Sequence, residues 1–284
     1  MTADVPPGSR TIDAHLHLWR LRPGTYSWLT PALGGLYADF TAEQARVELD
    51  AAGIDDAILV QADDTVADTE FMLAVADANP WVTGVVGWIP LDAPAAAEET
   101  LDRWQGHPAF CGVRHLVHED PRDGFLELPA VRRSLALLSR RGVAFDVPNA
   151  WPRHLAPAVA LAEALPELAV VVDHLAKPPL GQPDFEAWLT TMRRVAAFGN
   201  TVVKFSGLRL PGVSFDVQTI RPLWEFALEL FGPSRIMYGG DWPITVPDGG
   251  YQPTWRVVRD LVAELSPAER ALVLGGTAAR VYRR

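Results

Sequence analysis

Along this chain, short apolar runs rich in β-branched residues alternate with longer stretches of helical spacing. The opening run, Thr11 to Trp19, is followed by Ala57 to Ala62, Val82 to Pro90, Phe110 to Val117, Gly142 to Pro148, Leu168 to Leu175, Thr201 to Leu208 and Arg235 to Pro243. Runs of this length and composition predict buried strands. Between them, Thr41-Ala42-Glu43-Gln44 has the form of a capping box and opens a helix that Gly53 stops. Pro129 suits a first helical turn, with Gly142 behind the basic Arg140 and Arg141 as its stop. Ser266-Pro267-Ala268-Glu269 opens one more helix close to the C-terminus. Strand and helix repeated eight times predict parallel strands, and eight closes a single (β/α)8 TIM barrel. A doubly wound open sheet is the competing arrangement, but no Gly-x-Gly-x-x-Gly follows any of these runs. No repeat, low-complexity tract or Gly/Ser linker divides the chain, so one domain over residues 1–284 is expected.

Alternation within the first run gives its two faces different work. Side chains at i and i+2 of a strand share a face, so His15 and His17 project the same way and their imidazoles converge. Ile12, Ala14, Leu16 and Leu18 are expected on the other face, packed against helices. Two histidines alone say little, since surface or core histidines are common; they matter if other strands end in polar residues that meet them.

Composition narrows the partners. Hydrophobic residues make up 49% and charged residues 21%, which predicts a folded core rather than disorder. A net charge of −10 and a pI near 5.1 argue against nucleic acid or an acidic membrane surface, both of which need concentrated basic charge. Cys111 is the single cysteine, so neither an intramolecular disulfide nor a cysteine metal cluster is available, and a reduced compartment fits. Residues 1–10 lack the apolar core of a signal peptide and no apolar run is long enough to cross a bilayer, so a cytoplasmic location is expected.

In a barrel of this kind, function gathers at the C-terminal ends of the strands. Those ends carry His15 and His17, Arg114 and His115, Asp146, Asp173 and His174, Lys204, and Asp241 within Gly239-Gly240-Asp241-Trp242-Pro243. Asp241 either caps the next turn or serves as a general base, a metal ligand, or both. His174 is placed to orient a carbonyl or bind a metal, unless it is a core histidine bonded to backbone. Asp173, one residue earlier, is expected to point the other way and be structural. Arg114 presents a planar fork of donors suited to a substrate oxygen or carboxylate, or to an ordinary ion pair. Lys204 reads as a lysine paired inside the barrel. His107, His118 and His154 fall in loops or near helix starts, where exposure is expected, and receive no role. Arg209 would suit a carboxylated ring, while Trp19, Trp28 and Trp242 offer flat faces for a sugar ring.

Taken together, Asp13-Ala14-His15-Leu16-His17-Leu18-Trp19, Tyr26-Ser27-Trp28-Leu29, Gly112-Val113-Arg114-His115, Asp173-His174-Leu175-Ala176-Lys177-Pro178, Lys204-Phe205-Ser206-Gly207-Leu208 and Tyr238-Gly239-Gly240-Asp241-Trp242-Pro243 resemble the lactonase branch of the amidohydrolase superfamily. The C-terminal Gly276-Thr277-Ala278-Ala279-Arg280-Val281-Tyr282 fits as well, so the resemblance covers nearly the whole chain. It implies a distorted (β/α)8 barrel that hydrolyses a small cyclic ester: a sugar lactone by preference, a carboxylated pyrone or muconolactone-type ring as the alternative. It implies metal-site positions at His15, His17, His174 and Asp241. Within such a site we expect Asp241 and His174 to be catalytic and Arg114, His115, Trp28 and Arg209 to meet the substrate. Superfamily members with two metals carry a bridging carboxylated lysine or glutamate on strand 4 and a histidine on strand 5. Here those strands offer Arg114-His115 and Phe145-Asp146, so one divalent metal (zinc) or none is expected, and no organic cofactor. Two smaller departures are Ala176 where glycine is usual and Gly240 where serine is usual. Other readings are a metal-dependent decarboxylase on the same barrel and a binding protein without catalysis.

Overall fold

A computed structural model describes residues 10–209, 212 and 214–282. Eight strands, β1 (Ile12–Leu16), β2 (Asp56–Val60), β3 (Val82–Gly87), β4 (Phe110–Arg114), β5 (Ala144–Val147), β6 (Val170–Val172), β7 (Thr201–Phe205) and β8 (Ile236–Tyr238), pair in sequence order, each parallel to the next. The seam lies between β1 and the residues just after β8. There Leu16 bridges Trp242, His17 N donates to Trp242 O at 2.8 Å, and Asp241 N donates to His15 O at 2.8 Å.

A helix follows each strand: α1 (Ala42–Ala52), α2 (Val66–Ala78), α3 (Pro94–Trp104), α4 (Pro129–Arg141), α5 (Leu155–Ala164), α6 (Phe185–Ala196), α7 (Val217–Phe231) and α8 (Tyr251–Val262). Short α9 (Pro267–Ala271) and α10 (Thr277–Val281) complete the chain's described part. The capping signals act as expected. Thr41 and Gln44 satisfy each other's backbone N–H at the start of α1, Gly53 ends it at φ 70°, and Ser266 with Glu269 repeats the box at α9.

Two apolar layers result. Leu59, Val85, Val113, Phe145, Val172 and Val203 face the helices, whereas Ile58, Val60, Val86, Val171, Val202 and Met237 form a separate inner group. Tyr282, directly after α10, joins that inner group. The expectation that Ile12, Ala14, Leu16 and Leu18 share one face needs correction. Leu16 and Leu18 pack outward, but Ile12 and Ala14 belong to the inner group. The β1–β2 register shifts between Asp13 and Leu16, and that irregularity breaks the alternation halfway along the strand.

On the β2 side, a buried carboxylate has no basic partner among the described residues. Asp68 in the first turn of α2 accepts from Tyr26 Oη at 2.7 Å and from the Ala62 and Asp63 amides at 2.9 and 3.3 Å. Burial outweighs these bonds and pushes its carboxyl up to about 6.

Candidate active site

The strand ends converge as the barrel requires. His15 Nε2 and His17 Nε2 stand 3.1 Å apart, and Asp241 Oδ1 lies 3.7 and 3.5 Å from them. All three residues are buried. His17 Nδ1 donates to Val60 O at 2.8 Å, which leaves Nε2 as the ring's acceptor. His174 stacks at a tilt against His15, with centroids 4.5 Å apart, and its Nδ1 meets Ser206 Oγ at 2.9 Å. Burial is the leading cause that keeps His15, His17 and His174 neutral, and it brings His174 down to about 3. Burial alone would raise the Asp241 carboxyl. The neighbouring His174, His17, Lys177 and His15 outweigh it and hold Asp241 below the usual carboxylate range.

Unusual backbone places these groups. Asp241 itself sits at φ 51°, and a continuous left-handed run covers His174, Leu175, Ala176 and Lys177 at φ 57°, 49°, 63° and 58°. Such values are costly for residues with a Cβ and persist where surrounding structure enforces them. Gly207, at φ 55°, has no choice of side chain: a Cβ there would overlap His174 Nδ1 and Asp241 Oδ2. Gly240 is equally constrained, because a Cβ would run into the Tyr251 ring and Asp13. Asp13 explains the crowding. It accepts from the His15 and Gly240 amides, both at 2.9 Å, and from Tyr251 Oη at 2.8 Å, and so clamps β1 to the end of β8.

Behind the histidines is a closed set of buried ions. Arg114 reaches Asp173 Oδ2 at 3.2 Å and also donates to Gln61 O. Lys204 lies 2.6 Å from Asp146 Oδ2 and 3.2 Å from Asp173 Oδ1. Burial works against the Lys204 ammonium, but the two carboxylates outweigh it and raise its pKa. Lys204 is thus the internal paired lysine that the sequence predicts. Asp173 departs from expectation: it turns inward, 3.4 Å from His15 Nδ1, because β6 ends at Val172 and the chain winds into the left-handed run.

In front lies a cavity of about 140 Å³ lined by His17, Trp28, Arg114, His174 and Asp241, together with Ala62, Leu116, His118, Glu119, Pro148, Asn149, Lys177 and Ile244. His118, expected to be exposed, therefore faces it, and His154, also expected to be exposed, is buried at 1%. His115 and Arg209 are not among the lining residues. His115 stacks on Phe125 with centroids 4.1 Å apart and bonds Trp88 and Asp120, which follows from its place one residue beyond inward-facing Arg114. Arg209 instead bonds Thr254 and lies over Phe215. Trp19 and Trp242 are engaged edge-on with Phe40 in the core, which leaves Trp28 as the tryptophan at the cavity. Sequence reasoning gave no role to Lys177, whose ammonium donates to Gly207 O at 2.6 Å. Its position depends on four positive φ angles that no periodicity announces.

Zinc held at about 2.0–2.1 Å in a tetrahedral site keeps its ligand atoms roughly 3.3 Å apart. The 3.1, 3.5 and 3.7 Å edges of the His15, His17 and Asp241 triangle fit one ion. A second grouping, His15, Asp173 and His174, is close enough in space, but Arg114 and Lys204 already neutralise its carboxylate.

An eight-stranded parallel barrel with two histidines converging from the end of its first strand and a carboxylate after its last is the arrangement of a barrel enzyme whose one site can hold a metal. Residues 12–284 match the Amidohydrolase family, and the chain belongs to it. A protein of Burkholderia ambifaria named L-fucono-1,5-lactonase is 33% identical over 280 residues, covering 96% of this chain and 95% of that protein. One of the same name from Burkholderia multivorans is 32% identical, covering 97% and 96%. A crystal structure of a Burkholderia multivorans amidohydrolase with bound zinc superposes with TM-score 0.86 at 31% identity, covering 96% of this chain and 99% of that one.

Proposed function

We propose that this protein is a lactonase that opens a neutral aldono-1,5-lactone of the L-fucono type, a small-molecule substrate met in the cytoplasm, with no nucleic acid or membrane involved. The observation that carries this reading is an ionised Asp241 beside paired imidazoles at the floor of a small cavity walled by Trp28. The two relatives of that name, about one third identical over nearly the full chain, support it.

Asp241 orients a water molecule and accepts its proton as the oxygen attacks the ring carbonyl. Negative charge then grows on the carbonyl oxygen, where the Arg114 guanidinium stabilises it. The ring oxygen leaves as the C–O bond breaks and takes a proton back from the Asp241 carboxyl. Trp28, pinned by its Nε1–H to Ala62 O at 2.7 Å, offers a fixed flat wall to the ring. His15, His17 and Asp241 would hold the single divalent metal, with His174 beside them; such an ion polarises a carbonyl and acidifies bound water.

Charge favours a neutral ring over a dicarboxylate. Arg114 is already paired with Asp173, and the field of Asp241 offsets Lys177, so the cavity carries no surplus of positive charge for two carboxylates. The test is proton release in weak buffer with L-fucono-1,5-lactone, related aldonolactones and 2-pyrone-4,6-dicarboxylate, each with chelator and with added zinc. Acid release on the neutral lactones is expected, with loss under chelator if the metal is required. Turnover of the dicarboxylate alone, or carbon dioxide release from an aromatic acid, would overturn the reading.

A further inference from the structure

His15 lies between two systems that want opposite things of it. Lys204 Nζ stands 3.2 Å from His15 Nδ1. An ammonium has three donors and no acceptor, so that contact is a hydrogen bond only if Nδ1 is unprotonated. A neutral His15 then carries its proton on Nε2, which points at His17 Nε2, 3.1 Å away. His17 is ready to accept, since its own proton is committed to Val60 O. One buried line of donor–acceptor contacts results: Tyr282 Oη to Asp146 at 2.7 and 2.9 Å, Lys204 to Asp146 at 2.6 Å, Lys204 to His15, His15 to His17, and His17 to Val60 O, while the Arg114 Nη1 donor stands farther off, 3.4 Å from His15 Nε2, and is committed to Asp173 Oδ2.

A metal in the His15, His17 and Asp241 triangle needs the opposite tautomer, because His15 must offer the Nε2 lone pair. The structure holds a partner for that state too. Asp173 Oδ1, fully buried and ion-paired to Lys204 Nζ at 3.2 Å without a well-aligned hydrogen bond, lies 3.4 Å from His15 Nδ1 and would accept its proton. We propose that Lys204 is a positioning residue that sets the zinc affinity of this triangle by holding His15 in its Nε2–H tautomer. Zinc binding removes the proton from Nε2 to solvent while Nδ1 takes one from solvent, so the ring stays neutral and the bond to Lys204 is exchanged for one to Asp173. The Lys204 N–H aimed at His15 then faces a donor, and that lost bond weakens the site for the ion.

Two measurements test this, and neither depends on turnover. Nitrogen-15 NMR of the metal-free wild type reads the tautomer directly, with His15→Gln to assign the signal. The Nε2–H form is expected for His15, changing to Nδ1–H with Nε2 bound when zinc is added; an Nδ1–H ring before zinc is added would overturn the proposal. The second uses the paired variant Lys204→Met with Asp146→Asn, which removes one buried charge of each sign and keeps an acceptor for Tyr282. Competition against a chromophoric chelator should show zinc bound about tenfold more tightly than by wild type, the size of one net hydrogen bond. Unchanged or weaker zinc binding by a variant with a native circular dichroism spectrum would also overturn it.

Discussion

The two sides of the barrel interior are built on different principles. Strands β2 and β3 line it with Ile58, Val60 and Val86, all buried and apolar. Strands β4 to β7 and both sides of the seam add to inner apolar residues such as Val171, Val202 and Met237 the side chains of Arg114, Asp146, Asp173, Lys204, His15 and Asp241, just as buried but ionic or polar. The first side gains stability from close packing, where each lost methylene is felt. The second escapes the penalty of unpaired buried charge because its charges are matched, Arg114 and Lys204 against Asp173 and Asp146. Substitutions should therefore damage the two sides in different ways.

The largest effect is expected on the polar side. Asp241→Asn should lower turnover of the lactone about a thousandfold, the scale of a lost general base, while the melting temperature stays near that of wild type. Near-normal turnover would remove Asp241 from the mechanism. On the apolar side, Ile58→Ala should cost about 3–4 kcal/mol in denaturant unfolding and leave kcat of the folded protein unchanged. A fall in kcat without a loss of stability would erase the distinction between the two sides.

Asp68 sharpens the comparison, because it is a buried acid on the β2 side without a cation. Its carboxyl is raised from 3.8 to about 6, so the folded state holds the proton more tightly than the unfolded chain does. Stability from this group is therefore greatest below pH 4, is lost as pH rises from about 4 to 6, and stays lost above that. Unfolding free energies of Asp68→Asn and wild type should separate by up to about 3 kcal/mol across that window, with the variant spared the decline. Parallel pH curves would show that Asp68 ionises normally. The smallest effect concerns Ala176, buried at φ 63° in the left-handed run. Ala176→Gly should leave stability unchanged or raise it by no more than about 1 kcal/mol, and a clear loss would mean that the methyl's packing outweighs backbone relief.

The framework was legible because eight apolar runs and their capping residues are local signals. The first histidines, Arg114, His174 and Asp241 were legible for a similar reason, since each sits at the end of such a run. What escaped depends on backbone that no run encodes. The irregularity in β1 sends Ile12 and Ala14 inward, and the left-handed stretch from His174 turns Asp173 inward and delivers Lys177 to the cavity. His115, read as a substrate contact, is excluded from the cavity by simple alternation after Arg114.

The Asp13 clamp has a consequence for the order in which the molecule is made. Asp13 and the Gly240 amide that it accepts from are 227 residues apart, and the backbone bonds of the seam span nearly as much chain. Contacts of such separation close late, after the entropy of a very long loop has been overcome. A nascent chain that stops short of β8 holds both histidines yet lacks Asp241 to complete their triangle. Assembly of the reactive centre is thus deferred until synthesis of the barrel is almost finished.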